Sequence, residues 1–583
     1  MKLKLIKNKY FWIFLAIFAL GIFLRSYNFT PWLHFELDQA RDTILVSEAV
    51  EDGAGELPLL GPRAAGTMLR LGPAFYYVQY AGAKILGNTP QGMAYPILLF
   101  SILSIPLFYF FIARYFNKKL SLGLTLLFSV SLFLITYSRF AWNPNLIPFF
   151  ALAVSYFLLK AVDKEEKKKG WNLLFSAIFL GILIQFHFLA LIIMPLIAAI
   201  FLIIKRPKIK IKFWLASILA IIILNVPMMI NEIKTGGDNA EQFIEAVTKK
   251  STKENHTLVE KAMENYLEHS LNYWTVISGS QKSELFEMES VNKSNVKFDI
   301  KCDRSCRDSL PQGILAFLIF TAGLLSLVIK LAKEKNIAKK DFLILNALCF
   351  AIAFIVFIPL AFKLSPRFFL ITVAVPFVFL GLLLERLLYF IKNKSNLALA
   401  FILFLAILNL FFVYKFFEEL RLAPSENIEI GRDKILKQKT RITLEQQNSI
   451  VDYTKSFYQK NKYPVFYKGQ NEFHRAFAYL LDKKDIPRDG ISLSKIYRQG
   501  NYFLIIRTQS DIQYYREKYG DHFNFFSKKE FGTLTVFKLI PKENSITNEA
   551  MNPSELERDG MENNENEKAR RYKWSEVIKI NPK

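Results

Sequence analysis

Cysteine and histidine are scarce in this chain, three and six of 583 residues. Three cysteines exclude a disulfide-dense framework. Cys302 and Cys306 stand four apart in a polar loop, where a short-range disulfide is the plain reading, and Cys349 lies within an apolar block. No second cysteine or histidine pair completes a four-ligand zinc site. The N-terminus, "MKLKLIKNKYFWIFLAIFALGIFLRSYNFTPW", has the charge pattern of a secretory signal but no small-x-small cleavage site. Its apolar core is long enough to span, so it is read as a retained first helix. Internal repeats are absent, and the middles of the apolar runs are almost free of carboxylates, which argues against a transporter or lipid flippase with a charged path through the bilayer.

What the chain does have is apolar length. Hydrophobic residues make up 52% of it, aromatics 15%, and there are 55 phenylalanines. Long apolar blocks alternate with short basic clusters, the pattern of a polytopic α-helical membrane protein. The net charge of +24 resides largely in loops and tail, where it sets topology, so nucleic-acid binding is a poor reading of it. Candidate spans, about eleven of them, cover residues 10–27, 91–114, 120–137, 145–162, 171–187, 188–204, 212–230, 313–331, 342–362, 367–390 and 396–414. The segment "LGPAFYYVQYAGAKILG" (71–87) is apolar but short and broken by glycine, proline, Gln79 and Lys84. If it does not span, the basic loops "ARYFNKK", "KAVDKEEKKKG", "IKRPKIKIK", "IKLAKEKNIAKK" and "IKNK" all fall on the side of the N-terminal lysines, as the positive-inside rule requires.

That topology places the N-terminus in the cytoplasm and the first loop (28–90), the loop 231–312 and everything after 415 outside. "FELDQARD" (35–42), "YSRFAWNPN" (137–145) and "FKLSPRFF" (362–369) then meet at the same outer face. Residues 1–415 form the membrane domain. Residues 420–541 alternate helical and strand patterns and are expected to form a small extracytoplasmic α/β domain. Residues 542–583 are charged and polar, a composition that predicts disorder.

"FELDQARD" carries the chemistry. Asp38 is placed to cap the amphipathic helix "DQARDTILVSEAVED", with Arg41 three residues on and Asp42 four, so all three share a face. A cap with an exposed ion-pair partner is the bland account. Against it, two carboxylates at i and i+4 repel unless a cation or substrate lies between them. Arg63, Arg70, Arg139 and Arg367 lie in the outer segments around it; headgroup anchoring explains any one of them, whereas several together suit a phosphate gripped by guanidiniums. A carboxylate beside such a cluster fits transfer of a sugar from a lipid phosphate. The phosphate leaves as a stable anion, no general acid is needed, and a single carboxylate serves as base, with inversion. Glu36 and Asp42 are supporting acids. His34, Arg41, Tyr76, Tyr77 and Asn143 are candidates to line the substrate, although an aromatic belt explains the tyrosines equally well. His187, between two apolar runs, reads as a packing histidine.

In its motif order the chain resembles the GT-C glycosyltransferases of the family-39 type, which include protein O-mannosyltransferases and the aminoarabinose transferases that modify lipid A. The acidic first-loop motif corresponds to "ELDQARD", the proline-aromatic segment ending that loop to "LGPAFYYVQY", and a later Pro-Arg-Tyr element to "SPRFFLITVAVP", with Phe368 in place of tyrosine. The resemblance covers about residues 10 to 415. It implies a polyprenyl-phosphate sugar donor, Asp38 as catalytic base and Arg70 as phosphate ligand, with Arg139 and Arg367 as further phosphate contacts. Gln39 stands where the family often has glutamate, which weighs against a divalent metal here. The alternatives are a GT-C oligosaccharide ligase or polymerase that uses a lipid pyrophosphate, the transporter or flippase, and a membrane-anchored binding module whose business end is the C-terminal domain. The sugar and acceptor are not legible.

Overall fold

The computed structural model describes residues 9–578 other than 65, 249–255, 281–286, 291–297, 302–303, 391–394, 424–441, 471, 509 and 553–569. The expected pairing of Cys302 with Cys306 lies outside what it describes. In hydrocarbon every backbone polar group must be satisfied within its own segment, so the apolar runs become helices. Among the described residues, seven helices are long and apolar enough to cross a membrane, spanning Lys9–Ser26, Pro90–Ile112, Asn143–Val162, Phe188–Lys205, Arg307–Lys333, Ile337–Phe362 and Leu397–Leu422. The other expected spans are each interrupted or short. Residues 211–235 form a pair of helices, Ile211–Leu224 and Val226–Thr235, bent by 57° at Asn225. Lys169–Leu183 has 15 residues, and the expected span 367–390 begins as a 3-10 turn and becomes α-helical only over Val375–Phe390.

The remaining span, 120–137, breaks at Ser131 into Lys118–Val130 and Leu132–Tyr137. A break in mid-bundle frees backbone groups that must find partners. Asn409 supplies one, its Oδ1 accepting from the Leu132 N–H at 3.0 Å while its Nδ2 donates to Ile277 O at 2.8 Å. Ser131 Oγ also donates to Val276 O at 2.7 Å. The long loop 231–312 therefore does not hang free. Its helix Leu258–Ser278 is wedged against the bundle, with His269 enclosed by the rings of Phe350, Phe354, Phe357 and Phe369.

Five elements position the site, labelled here α1 (Lys9–Ser26), α2 (Leu37–Asp52), α3 (Ala74–Leu86), α4 (Val226–Thr235) and α5 (Leu444–Asn461). The sequence segment 71–87 becomes α3, whose 13 residues fall short of the ~20 needed to cross a bilayer. It packs between α2 and the helix Pro90–Ile112.

The C-terminal region forms a five-stranded sheet from Val465–Gly469, Arg488–Gly490, Asn501–Arg507, Phe523–Phe531 and Leu534–Pro541, in the spatial order second, first, third, fifth, fourth. The first three strands run parallel and the last two antiparallel to their neighbours. Its central strand, Asn501–Arg507, is buried on both faces, as the apolar run "NYFLII" requires. One face packs Phe503 on Tyr453 and Phe457 of α5; the other packs Tyr502 on Phe466 and Phe523.

This domain is sewn to the first loop. The N-terminal turn of α5, capped by Thr443, donates its Leu444 and Glu445 N–H groups to Leu33 O and Pro31 O, each at 3.0 Å, and Gln447 Nε2 donates to Phe35 O at 2.7 Å. Free N–H groups at a helix start are natural partners for extended carbonyls. The tail after 541 departs from its expected disorder in two described pieces. Thr547 N–H donates to Ile496 O and Arg498 N–H to Asn548 O, each at 2.9 Å, and residues 570–578 return to the first loop, Leu59 N–H donating to Tyr572 O at 2.8 Å. Local composition could not show this, because the partners lie in other segments of the chain.

Candidate active site

The residue that caps α2 is Glu36, not Asp38. Glu36 has extended backbone angles, and its N–H donates to Gln39 Oε1 at 3.4 Å. The expectation that Asp38 caps the helix is therefore corrected, and its carboxylate stands clear of the backbone in the first turn. Arg41 supplies the cation that the paired carboxylates called for. It lies between them, donating to Asp38 Oδ1 at 3.0 Å and from Nε to Asp42 Oδ1 at 2.8 Å. The guanidinium thus occupies the position that a metal ion between the two acids would need.

The two acids are not equivalent. Asp42 is fully buried, and burial pushes its carboxyl above the usual range, with Arg41 pulling back. Arg41 pays for its own burial but is held charged, and raised on balance, by Asp42, Tyr76 and Asp38. Tyr76 Oη donates to Asp42 Oδ1 at 3.1 Å, and burial followed by the Asp42 charge pushes its phenol up to about 12. Tyr76 is wholly inaccessible, which replaces the aromatic-belt account of it. Asp38, by contrast, keeps 40% of its side chain exposed. A carboxylate that is held in place and still open to an incoming group is what a general base needs.

Its second oxygen receives Trp142 Nε1 at 3.3 Å. The sequence stretch "YSRFAWNPN" thereby reaches the acidic motif, and Arg367 of "SPRFF" stacks its guanidinium 5.1 Å from the Trp142 ring. Phe368 in turn meets His187 edge-on at 5.6 Å, and His187 Nδ1 accepts the Leu189 N–H as a helix cap, the structural task expected of it. Trp142 was not singled out among the candidates; its place in the quoted motif was the available signal.

Arg70 closes the hairpin 59–71. Gly61 N–H donates to Leu71 O at 2.7 Å and Leu71 N–H to Pro62 O at 2.9 Å, which sets Arg63 opposite Arg70. Only glycine fits at 61, because a Cβ there would lie 2.1 Å from Gly72 O. Asn239, from the loop 231–312, holds both backbone groups of Arg70 at 2.8 and 3.1 Å. The Arg70 charge acts on Tyr76.

Other candidates stand apart. Arg139 donates to Arg25 O, Tyr27 O and Asn28 O at 2.9, 2.8 and 3.1 Å, ties off the end of α1, and lies over the rings of Phe29 and Phe417. Asn143 donates to Phe186 O at 2.5 Å. His34 pairs across a bridge with Thr443 and meets the Phe140 ring edge-on, with Nδ1 3.8 Å from Glu36 Oε1. Tyr77 donates to Pro58 O at 3.1 Å. Arg139, His34 and Tyr77 thus hold the first loop in place, while Asn143 ties its own segment to Phe186. A residue from the tail also arrives, Arg571, whose Nη1 lies 3.5 Å from Tyr76 Oη. Nothing in the local sequence marked it.

Residues 71–230 match the family described as dolichyl-phosphate-mannose-protein mannosyltransferase. Among solved structures the chain is similar to ArnT from Cupriavidus metallidurans in the apo state, with a TM-score of 0.51 and 10% identity over 92% of this chain and 98% of that one. It is similar also to that ArnT bound to undecaprenyl phosphate, with a TM-score of 0.51 and 11% identity over 93% of this chain and 100% of the other. At this identity the likeness is one of fold. No curated protein matches the chain at a significant level. The chain is thus similar over residues 71–230 to the dolichyl-phosphate-mannose-protein mannosyltransferases, and over nearly its whole length it shares its fold with the ArnT structures.

Proposed function

We propose that the chain transfers a sugar from a polyprenyl-phosphate donor to a hydroxyl or amine acceptor at the outer face of the membrane, with Asp38 as the general base. The observation that carries this reading is the half-open Asp38 carboxylate, held by Arg41 and by Trp142, on whose ring Arg367 stacks. The bound undecaprenyl phosphate of the similar ArnT structure supports a lipid-phosphate donor, and the family's description supports a sugar carried on such a lipid.

In the reaction the acceptor oxygen or nitrogen attacks the anomeric carbon as the bond from that carbon to the phosphate oxygen breaks. The acceptor proton passes to Asp38, and the lipid phosphate departs as an anion. The developing charge is met by arginines already in place, which costs no reorganisation at the moment of reaction. Arg70 and Arg367 are the phosphate contacts in this reading, and single displacement gives inversion. Arg139, committed to three carbonyls, is assigned to the scaffold. The asymmetry of the acids sets their roles: the exposed Asp38 exchanges protons with substrate, while buried Asp42 orients Arg41 and Tyr76. The topology that puts this site outside and the N-terminus inside rests on the placement of the basic loops.

The test is purified protein with a polyprenyl-phosphate sugar donor, read as release of polyprenyl phosphate. Asp38→Asn keeps the shape and, through its one amide oxygen, one of the two accepted hydrogen bonds, but it takes up no proton, and turnover falls by about 10²-fold or more, with donor affinity retained. Transfer by that variant at the normal rate would end the assignment.

A further inference from the structure

Residues 570–578 form a strap that is docked along both edges. On one side it joins the first loop as a short antiparallel strand, through the Leu59 N–H to Tyr572 O bond at 2.8 Å, the Trp574 N–H to Leu57 O bond at 3.2 Å and the bridge between Pro58 and Lys573. On the other side Asn231 of α4, itself fully buried, donates to Arg570 O and accepts from Tyr572 N–H, both at 3.0 Å. Side chains add three anchors: Trp574 Nε1 to Tyr77 Oη at 2.9 Å, Lys573 Nζ to Glu56 at 2.7 Å and Ser575 Oγ to Glu56 at 2.9 Å. Backbone bonds on two edges fix the register, and a slip of one residue would turn every side chain to the opposite face.

That register brings Arg571 to the reacting cleft. Its guanidinium carbon lies 5.9 Å from the centre of the Tyr76 ring, and its Nη1 is 3.5 Å from the hydroxyl that donates to Asp42. A contact of that length is at the outer limit of a hydrogen bond and leaves most of a five-donor fork unspent on Tyr76. Glu48 also faces Arg571, and shares its field with Lys573. Around the Tyr76 hydroxyl, Arg41, Arg571 and Arg70 all act against the charge of Asp42. Arg41 is matched by Asp42 and Asp38, so the guanidinium of Arg571 adds positive potential beside the Tyr76 hydroxyl.

We propose that Arg571, carried into the cleft by the C-terminal strap, binds the phosphate of the polyprenyl-phosphate donor. The inference rests on the donor reading above and adds to it a ligand from the opposite end of the chain. A guanidinium fork grips a phosphate through paired N–H donors, which a lysine cannot reproduce.

The experiment measures binding of undecaprenyl phosphate to the full-length purified protein in detergent, with undecaprenol, which lacks the phosphate, as the comparison lipid. Arg571→Gln weakens undecaprenyl phosphate binding by about tenfold or more, the size expected for a hydrogen bond to a charged group, and leaves undecaprenol unchanged. Arg570→Gln, which removes the same charge from the neighbouring position, leaves both unchanged. Arg571→Lys weakens the phosphate lipid by less than the Gln variant, and carries the test if the Gln variant does not fold. Equal binding by the Arg571→Gln variant and wild type would overturn the inference while leaving the donor reading intact, as would an equal loss for both lipids. Failure of the wild-type chain to bind undecaprenyl phosphate would instead sink the donor reading and this inference together.

Discussion

At the scale of single residues, the two aspartates of one helix have different surroundings. Asp42 is sealed beneath Arg41 and Tyr76, whereas Asp38 remains partly open and is steadied by the Trp142 indole. Removing that indole N–H while keeping an aromatic ring isolates the positioning effect. Trp142→Phe is expected to lower turnover by about tenfold, the worth of one hydrogen bond to a charged group, with little change in donor KM because Arg367 still has a ring to stack on. Unchanged turnover would show that Trp142 does not position Asp38. The pairing of Asp38, Arg41 and Asp42 was legible from spacing alone, since i, i+3 and i+4 neighbours must share a helix face. The partner on the second oxygen of Asp38 was not, because it arrives from a segment about a hundred residues away.

At the scale of elements, the hairpin 59–71 and the strap 570–578 build the wall that faces the acids. The hairpin depends on the close approach of Gly61 to Gly72, and Gly61→Ala forces a Cβ into Gly72 O. The expected cost is about 1–3 kcal/mol, seen as a lowered thermal midpoint and weaker donor binding, because Arg70 moves with its strand. An unaltered midpoint would mean that the hairpin opens freely. The strap has a pH limit of its own. Lys573, then Ser575, hold the Glu56 carboxyl below its ordinary value of 4.5 in the docked state. A depressed carboxyl stabilises docking above pH 4.5, and this support is lost as pH falls through the lower docked-state value. Hydrogen exchange at residues 571–575 should therefore accelerate below that pH in the wild type, and Glu56→Gln should show the faster exchange already at pH 7. Equal protection in both proteins at pH 7 would remove Glu56 as the anchor.

At the scale of the whole molecule, the membrane bundle and the C-terminal domain meet at the first loop, so the site sits beneath a second folded unit. Gln447, fully buried, joins α5 to Phe35 O just before the acidic motif. Gln447→Ala leaves that carbonyl unpaired in the interface, at a cost of about 1–3 kcal/mol. The expected result is faster hydrogen exchange over residues 33–38 and reduced turnover, while the sheet of the C-terminal domain stays protected; loss of protection throughout the sheet would instead mark Gln447 as a core residue of that domain. Composition and periodicity alone determined the membrane class, the helical bundle, the small α/β domain and the acidic helix face, because each follows from properties of adjacent residues: apolar length, a repeat of 3.6 or 2, and spacing along one helix. Only the tertiary structure decided that Glu36 and not Asp38 caps α2, that Trp142 reaches Asp38 with Arg367 stacked on it, that Arg139 bonds the carbonyls at the end of α1 and that Arg571 reaches Tyr76. Those outcomes depend on contacts between segments far apart in the chain, and such contacts leave no local pattern in the residues that make them.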